Sequence, residues 1–491
     1  MRQASRSFKL LSGASIHEAT GRFDFMGLSF FQIRHAFVVR TFLFFLGTLF
    51  CYQSDLWADA EPTLHGTQLN IEIPGWTPQP FLNWQPGDTA HEKRKLYFPR
   101  FIYAEFDKLR ENNVQPFATY SSNFLGNPVG GALQSAQYAQ ILRFGAEISL
   151  KKISPVFGET SLIISGVQGS GRNLSDWIGN DLGVMQAYTS QTIALSNLLI
   201  RQQFFNDKLE VRLGRMGAGQ FFGSLPAFGL QVSDGINGNA GGLPSNLSNF
   251  KTSTGTSWAA YAKWTAPQDI YLQSGIFQSN PNIGKRAYHG LNLGFHSDDG
   301  FLWMAEIGWT PTFYKRNADG KGDLGFDGLP AYYGLGTYWS NYEFSDFDGG
   351  SKDNAFGFYA MGQQMLWRSA YDENLHFSVW GVITYAPQSD IAINPLFGGF
   401  GTILQGFIPS RKDDQWLTSF LIQNYGANYA RSIAQQGTGN PSVEIVLETS
   451  YIIQLTENIS FQPDLQYVIQ PAGTGNIPNA LVVGFQITAK F

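Results

Sequence analysis

Ala480-Leu-Val-Val-Gly-Phe-Gln-Ile-Thr-Ala-Lys-Phe491 is the stretch whose reading decides the fold. Leu481, Val483, Phe485, Ile487, Ala489 and Phe491 share one parity, while Val482, Gly484, Gln486, Thr488 and Lys490 share the other. Side chains along a strand point alternately to its two faces. The segment is therefore apolar on one face and mostly polar on the other. A strand of a soluble sandwich has the same look, so the neighbouring segments must decide.

Upstream, residues 443–455 put Val443, Ile445, Leu447, Tyr451, Ile453 and Leu455 opposite Glu444, Glu448, Ser450 and Gln454. Thr456-Glu457-Asn458 then turns the chain into 459–469, which alternates again, before the looser stretch 470–479. A three-residue turn at one end and a long loop at the other is the asymmetry of a membrane barrel. Carried back along the chain, the same pattern gives sixteen candidate strands between 115–124 and 480–491. The even count keeps both ends of the barrel on one side. Residues 310–331 are long for the short-turn side, and 288–295 is assigned to a loop hairpin rather than a seventeenth strand. Pro463 lacks an N–H for the ladder and is expected to mark a bulge.

Composition agrees. Charged residues make up only 14% of the chain and aromatics 15%, with 54 glycines, yet past the leader no stretch approaches the ~20 apolar residues of a spanning helix. The expected fold is all-β: a sixteen-stranded antiparallel transmembrane β-barrel over 115–491, preceded by a short N-terminal helix. Residues 1–60 read as leader and signal peptide. Arg34, His35 and Arg40 precede the apolar run 41–51, Ala58-Asp59-Ala60 fits a cleavage site, and Met26 is an alternative start. Residues 61–114 form a periplasmic N-terminal segment whose helix, 97–112, either caps or plugs the barrel. Cys51 is the only cysteine and lies in the leader, so the mature chain offers no thiol chemistry. A net charge of −5 gives no footprint for nucleic acid. No cofactor or metal motif is present, and no G-x-S-x-G, H-E-x-x-H or P-loop. An enzymatic barrel would need a partner for His376, and only Ser378 stands near it on the same face.

Inward parity nominates the lumen residues: Arg143, Glu147 and Lys151 on one strand, Glu210 and Arg212 on another, with Arg215 at that strand's end beside a constriction. Tyr261, Lys263, Glu306, His376, Trp380, Glu444, Glu448, Asp464 and Gln466 complete the set. Mixed charges suit a neutral polyhydroxylated solute, because charged and amide groups exchange hydrogen bonds with hydroxyls. Outward parity nominates Trp258, Trp264, Trp303, Trp309, Phe377, Tyr385 and Trp416 for the interfacial girdles. The 217–255 loop carries Phe221, Phe222, Leu225, Phe228 and Leu230, which would be poorly placed in water. Part of it is expected to fold inward and narrow the lumen.

Several blocks resemble the carbohydrate-selective porin family (OprB-like). Ile408-Pro409-Ser410-Arg411-Lys412-Asp413-Asp414, after the glycine-rich strand from Gly398-Gly399 to Gly406, is similar to its periplasmic turn. Leu447-Glu448 with Tyr451, then Gln462-Pro463-Asp464-Leu465-Gln466-Tyr467-Val468 and Pro471, are similar to its closing strand pair. Gly130-Gly131, Leu209 to Gly214 with Arg215, and Ala305-Glu306-Ile307-Gly308-Trp309 are similar to earlier blocks. The likeness covers roughly residues 97–491. It implies a non-enzymatic sixteen-stranded barrel in the bacterial outer membrane that passes small sugars by diffusion into the periplasm. The terminal Phe491 resembles the end that barrel assembly machinery reads. Outer-membrane lipid would surround the barrel, and a homo-oligomer stays open. A general or anion-preferring porin is the alternative, and an outer-membrane hydrolase a more distant one.

Overall fold

The structure is a computed structural model that describes Phe106 and residues 108–491, apart from 152, 237, 248–249, 281, 315–327 and 373, with a two-residue strand pairing of Ile71–Glu72 to Glu92–Lys93. The expected leader and cleavage site, and most of 61–107, lie outside the described residues. So does most of the expected 97–112 helix, of which Phe106 and residues 108–111 are helical.

Sixteen strands close into one antiparallel barrel. They are β1 Val114–Val129, β2 Ala136–Ser149, β3 Thr160–Gly171, β4 Ile193–Phe204, β5 Leu209–Met216, β6 Ser257–Thr265, β7 Ile270–Ser279 and β8 Gly300–Trp309. There follow β9 Leu329–Ser340, β10 Ala355–Arg368, β11 His376–Tyr385, β12 Leu396–Gln405, β13 Gln415–Asn424, β14 Val443–Gln454, β15 Ile459–Ile469 and β16 Ala480–Lys490. Each pairs with its sequence neighbours, and β16 closes on β1 from Leu481↔Val129 to Lys490↔Thr119. Phe491 extends that seam, its N–H donating to Ala118 O at 2.9 Å. Closure pairs the first strand with the last, so neither is left as an open edge that lipid could not solvate.

The alternation read in the last strand holds. Val483 and Ile487 face outward and are exposed, while Val482 and Gln486 are buried inside. Of the girdle candidates, Trp264, Trp303, Trp309, Tyr385 and Trp416 are exposed on the outer wall.

Residues 288–295 carry no strand, in keeping with their assignment to a loop rather than a seventeenth strand. The long 310–331 segment is clipped at its base, where Thr312–Phe313 pairs with Leu329 and Pro330. Two local expectations need correction, those for Pro463 and Lys151. Pro463 marks no bulge: β14 and β15 keep one register on either side, with Ser450↔Asp464 and Ile453↔Phe461, and only the ladder between is interrupted. The missing N–H removes a bond without adding a residue. Lys151 lies beyond the end of β2 and pairs with Glu159 across the turn that follows.

The turn after β12 shows why its sequence is so particular. Asp414 accepts from Arg411 Nε at 2.5 Å and Nη2 at 2.9 Å, from Tyr451 Oη at 2.9 Å and from Gln454 N at 3.0 Å. Phe407 packs against Trp416 and Tyr451. One carboxylate thus ties the turn to the end of β14. Burial alone would raise the Asp414 carboxyl, but the Arg411 fork and the two further donors hold it below the ordinary carboxylate range. A depressed pKa contributes stability above the unfolded value and loses it as pH falls through the folded one. Asp414→Asn is therefore expected to lower the midpoint of the heat-modified gel transition at pH 7. The gap to wild type should close only below the unperturbed value of 3.8; a gap that closed near pH 6 would assign the effect to another group.

Candidate functional site

The barrel interior is occupied from the long-loop end by two segments. The 217–256 loop carries its apolar side chains inward: Phe222, Ala227, Phe228, Val232, Ile236 and Leu243 are fully buried. The 172–192 loop joins it with Leu174, Ile178, Leu182, Val184 and Met185 in the same cluster. The two bind each other through Asp234 N to Gly183 O at 2.7 Å and Gln186 N to Val232 O at 2.9 Å.

A loop inside a barrel has no strand partner for its N–H groups, and buried donors left unpaired are costly. Side chains of the wall supply the acceptors. Glu444 of β14 accepts from Leu182 N at 2.6 Å and Asp181 N at 3.0 Å. Glu448 accepts from Val232 N at 2.7 Å and Ser233 N at 3.3 Å. Glu306 of β8 accepts from Gly223 N at 3.2 Å, Gln273 Nε2 at 2.8 Å, Tyr271 Oη at 2.6 Å and Tyr359 Oη at 2.7 Å. The two tyrosine rings lie flat over Gly308 and Gly336, where a Cβ would meet a ring carbon at 2.0 Å. Only glycine leaves that space. Gln466 donates to Val184 O at 3.0 Å and to Asp464 at 2.8 Å. Trp380 is covered edge-on by Phe228, with ring centroids 5.4 Å apart. These side chains face inward as expected, but they are used in holding the loops.

A different group remains on β2, β4, β5 and β6. Arg201 pairs with Glu147, and Arg212 Nε donates to Glu210 at 2.7 Å. Arg201, Arg212 and Tyr261 stand in one row across three strands. Phe221 of the loop stacks on Tyr261 at 4.1 Å, and the Arg212 guanidinium lies 5.3 Å from the centre of the Phe221 ring. Lys263 sits 4.7 Å over the Tyr271 ring. Arg143 faces inward from β2 and feels Asp234 of the loop electrostatically. Arg143, Glu210, Phe221, Lys263 and Asp234 all retain exposed surface within the barrel.

Residues 133–491 match the model of the carbohydrate-selective porin, OprB family. The chain belongs to that family. The porin is 26% identical over 399 residues to Porin B of Pseudomonas aeruginosa, covering 73% of this chain and 83% of that one. It is 22% identical over 470 residues to the putative porin QuiX of Acinetobacter baylyi, covering 87% and 97%. Among solved structures, the high-pH structure of Pseudomonas putida OprB is similar in fold, with TM-score 0.70, 22% identity and coverage of 78% and 96%. The protein is thus a non-enzymatic, carbohydrate-selective channel of the outer membrane. The short-turn end of the barrel is then periplasmic and the long-loop end extracellular.

Arg215 is a correction. Its register partners are Leu198 and Trp258, both on the outward parity, so it points away from the lumen. Three positions from Arg212, it cannot share that face. His376 begins β11 at the periplasmic rim, opposite Arg368 and Gln405, away from the end where the loops enter. The sequence reading missed Arg201, whose strand is apolar on both faces at Leu198-Leu199-Ile200, and Asp234, a loop residue with no period to reveal it. The inward course of the 172–192 loop was missed as well, its buried Leu174, Ile178, Leu182, Val184, Met185 and Ala187 following no regular period.

Glu448→Ala should orphan two loop N–H groups at about 1–3 kcal/mol each, while the strand ladder stays intact. Single-channel recording should then show a larger, noisier conductance with an unchanged gel shift. Wild-type conductance would mean the loop is held without Glu448.

Proposed function

We propose that small neutral sugars diffuse through the space between the in-folded 217–256 loop and the β2–β6 wall. Arg143, Glu210, Lys263, Phe221 and Asp234 would meet the permeant. Arg201, Glu147, Arg212 and Tyr261 would hold those groups in place. The observation that carries this reading is the Arg212–Phe221–Tyr261 stack beside Glu210. It sets an aromatic face next to charged hydrogen-bonding groups, which complement the apolar C–H faces and the hydroxyl rim of a sugar.

Charge balance favours neutral permeants over anions. Arg201 has Glu147, Arg212 has Glu210, and Arg143 has Asp234 as an acidic counterpart. A wall of unpaired cations would instead raise the local concentration of anions. Wild-type protein in liposomes should therefore admit glucose faster than amino acids of similar size; equal rates would remove the sugar preference. Phe221→Ala should reduce that preference by about 2- to 10-fold, the scale of one aromatic packing contact.

Pore diameter matters alongside lining chemistry. Deleting residues 225–245 should raise single-channel conductance and weaken discrimination between sugars and amino acids. A correctly folded deletion variant with both properties unchanged would rule out the loop as the constriction.

A further inference from the structure

The outer wall carries a second in-folded feature, formed by the loop between β7 and β8. β4 runs 12 residues and β5 only 8, so β5 pairs no further than Leu198, and the extracellular end of β4 has no partner on that side. The loop takes that place. His289 O accepts from Leu195 N at 2.9 Å, and His289 Nδ1 lies 2.9 Å from Ile193 O. Further on, Asn292 O accepts from Arg215 Nη1 at 2.6 Å and Leu293 O from Trp258 Nε1 at 2.9 Å. Phe295 stacks on Trp258 at 6.3 Å. Arg215, an arginine on the lipid parity, is 0% exposed because this strap covers it.

The strap's own outer surface is amphipathic. Leu291 is 63% and Phe295 72% exposed, and Leu293 is exposed as well. Below them runs a lipid-facing row, Leu213–Ala260–Ile276–Trp303, in continuous register across β5 to β8. At the rim, Lys285 and Arg286 are exposed beside a cleft lined by Thr254, Gly255, Gly284 and His289. Neither has an ion-pair partner among the described residues. Cations above an apolar shelf, at the level of the outer leaflet, match an acylated lipid whose head carries phosphate.

We propose that this strap is a docking site for a phosphorylated glycolipid of the outer leaflet. Lys285 and Arg286 take the phosphate, and the acyl chains lie along Leu291, Leu293, Phe295 and the row beneath. The site is separate from the sugar passage, because it lies on the opposite face of the wall.

The test uses the full chain in detergent, incubated with diphosphorylated hexa-acyl lipid A or the same lipid stripped of phosphate, and read by native mass spectrometry. Wild type should retain the phosphorylated lipid about 30-fold better than Lys285→Ser/Arg286→Ser. The stripped lipid should bind both proteins alike. Leu291→Ser/Phe295→Ser should weaken both lipids, and the heat-modifiable gel shift checks that each variant folds. Equal retention of phosphorylated lipid by wild type and the cation variant would overturn the proposal. So would cross-linking of Phe295→Cys to a second copy in membranes, in a Cys51→Ser background, which would make the strap a protein interface.

Discussion

A backbone N–H turned into the inside of a barrel has lost its water and gained no strand, and the arrangement of this protein follows from finding it an acceptor. Glu306, Glu444 and Glu448 project from the inner wall and receive the N–H groups of Gly223, Asp181, Leu182, Val232 and Ser233. The uncharged wall amides Gln363 and Asn123 do the same for Ala227 and Ala187. Once these bonds are made, the loops' apolar side chains can fill the tube. An interior that would otherwise hold only water then acquires a packed core.

That solution divides the inner wall by fate rather than by composition. The carboxylates of β8 and β14 are covered by loop and serve as anchors. Those of β2 and β5 stay beside arginines and remain near the open space. Identical side chains on identical parity thus do different work, depending on whether a loop crosses above them. Parity fixes which face a residue takes; only the loop's path fixes whether a permeant meets it.

Legibility in the sequence follows the same division. The period of two made the strand number, order and lipid face readable, because each strand reports its own alternation. Arg215 also obeyed the rule: its parity excluded it from the lumen, and only its proximity to Arg212 had pulled it there. The inward course of the 217–256 loop was readable from its phenylalanines, which had nowhere else to go. The 172–192 loop was not, since its apolar residues are interspersed with Gly, Asn and Asp at no regular spacing. Arg201 was hidden for the opposite reason, its strand being apolar on both faces. The bonds from Glu306, Glu444 and Glu448 to the loop N–H groups span 83 to 263 positions, and no local pattern encodes them.

A closed barrel abolishes sheet edges only while neighbouring strands have equal length. Where β4 outruns β5, a short edge reopens at the outer leaflet, with the Leu195 N–H lacking a strand partner and a cation, Arg215, on the lipid side. Charged substitutions facing lipid destabilise barrels in a depth-dependent way. A strap that satisfies both groups at once removes the edge and the exposed charge together. It must then present some surface of its own to the membrane, and Leu291, Leu293 and Phe295 are that surface. The outer wall and the lumen therefore meet one requirement in the same manner: wherever a strand cannot supply a partner, a loop folds back onto the wall, inside to build a constriction and outside to restore the seal.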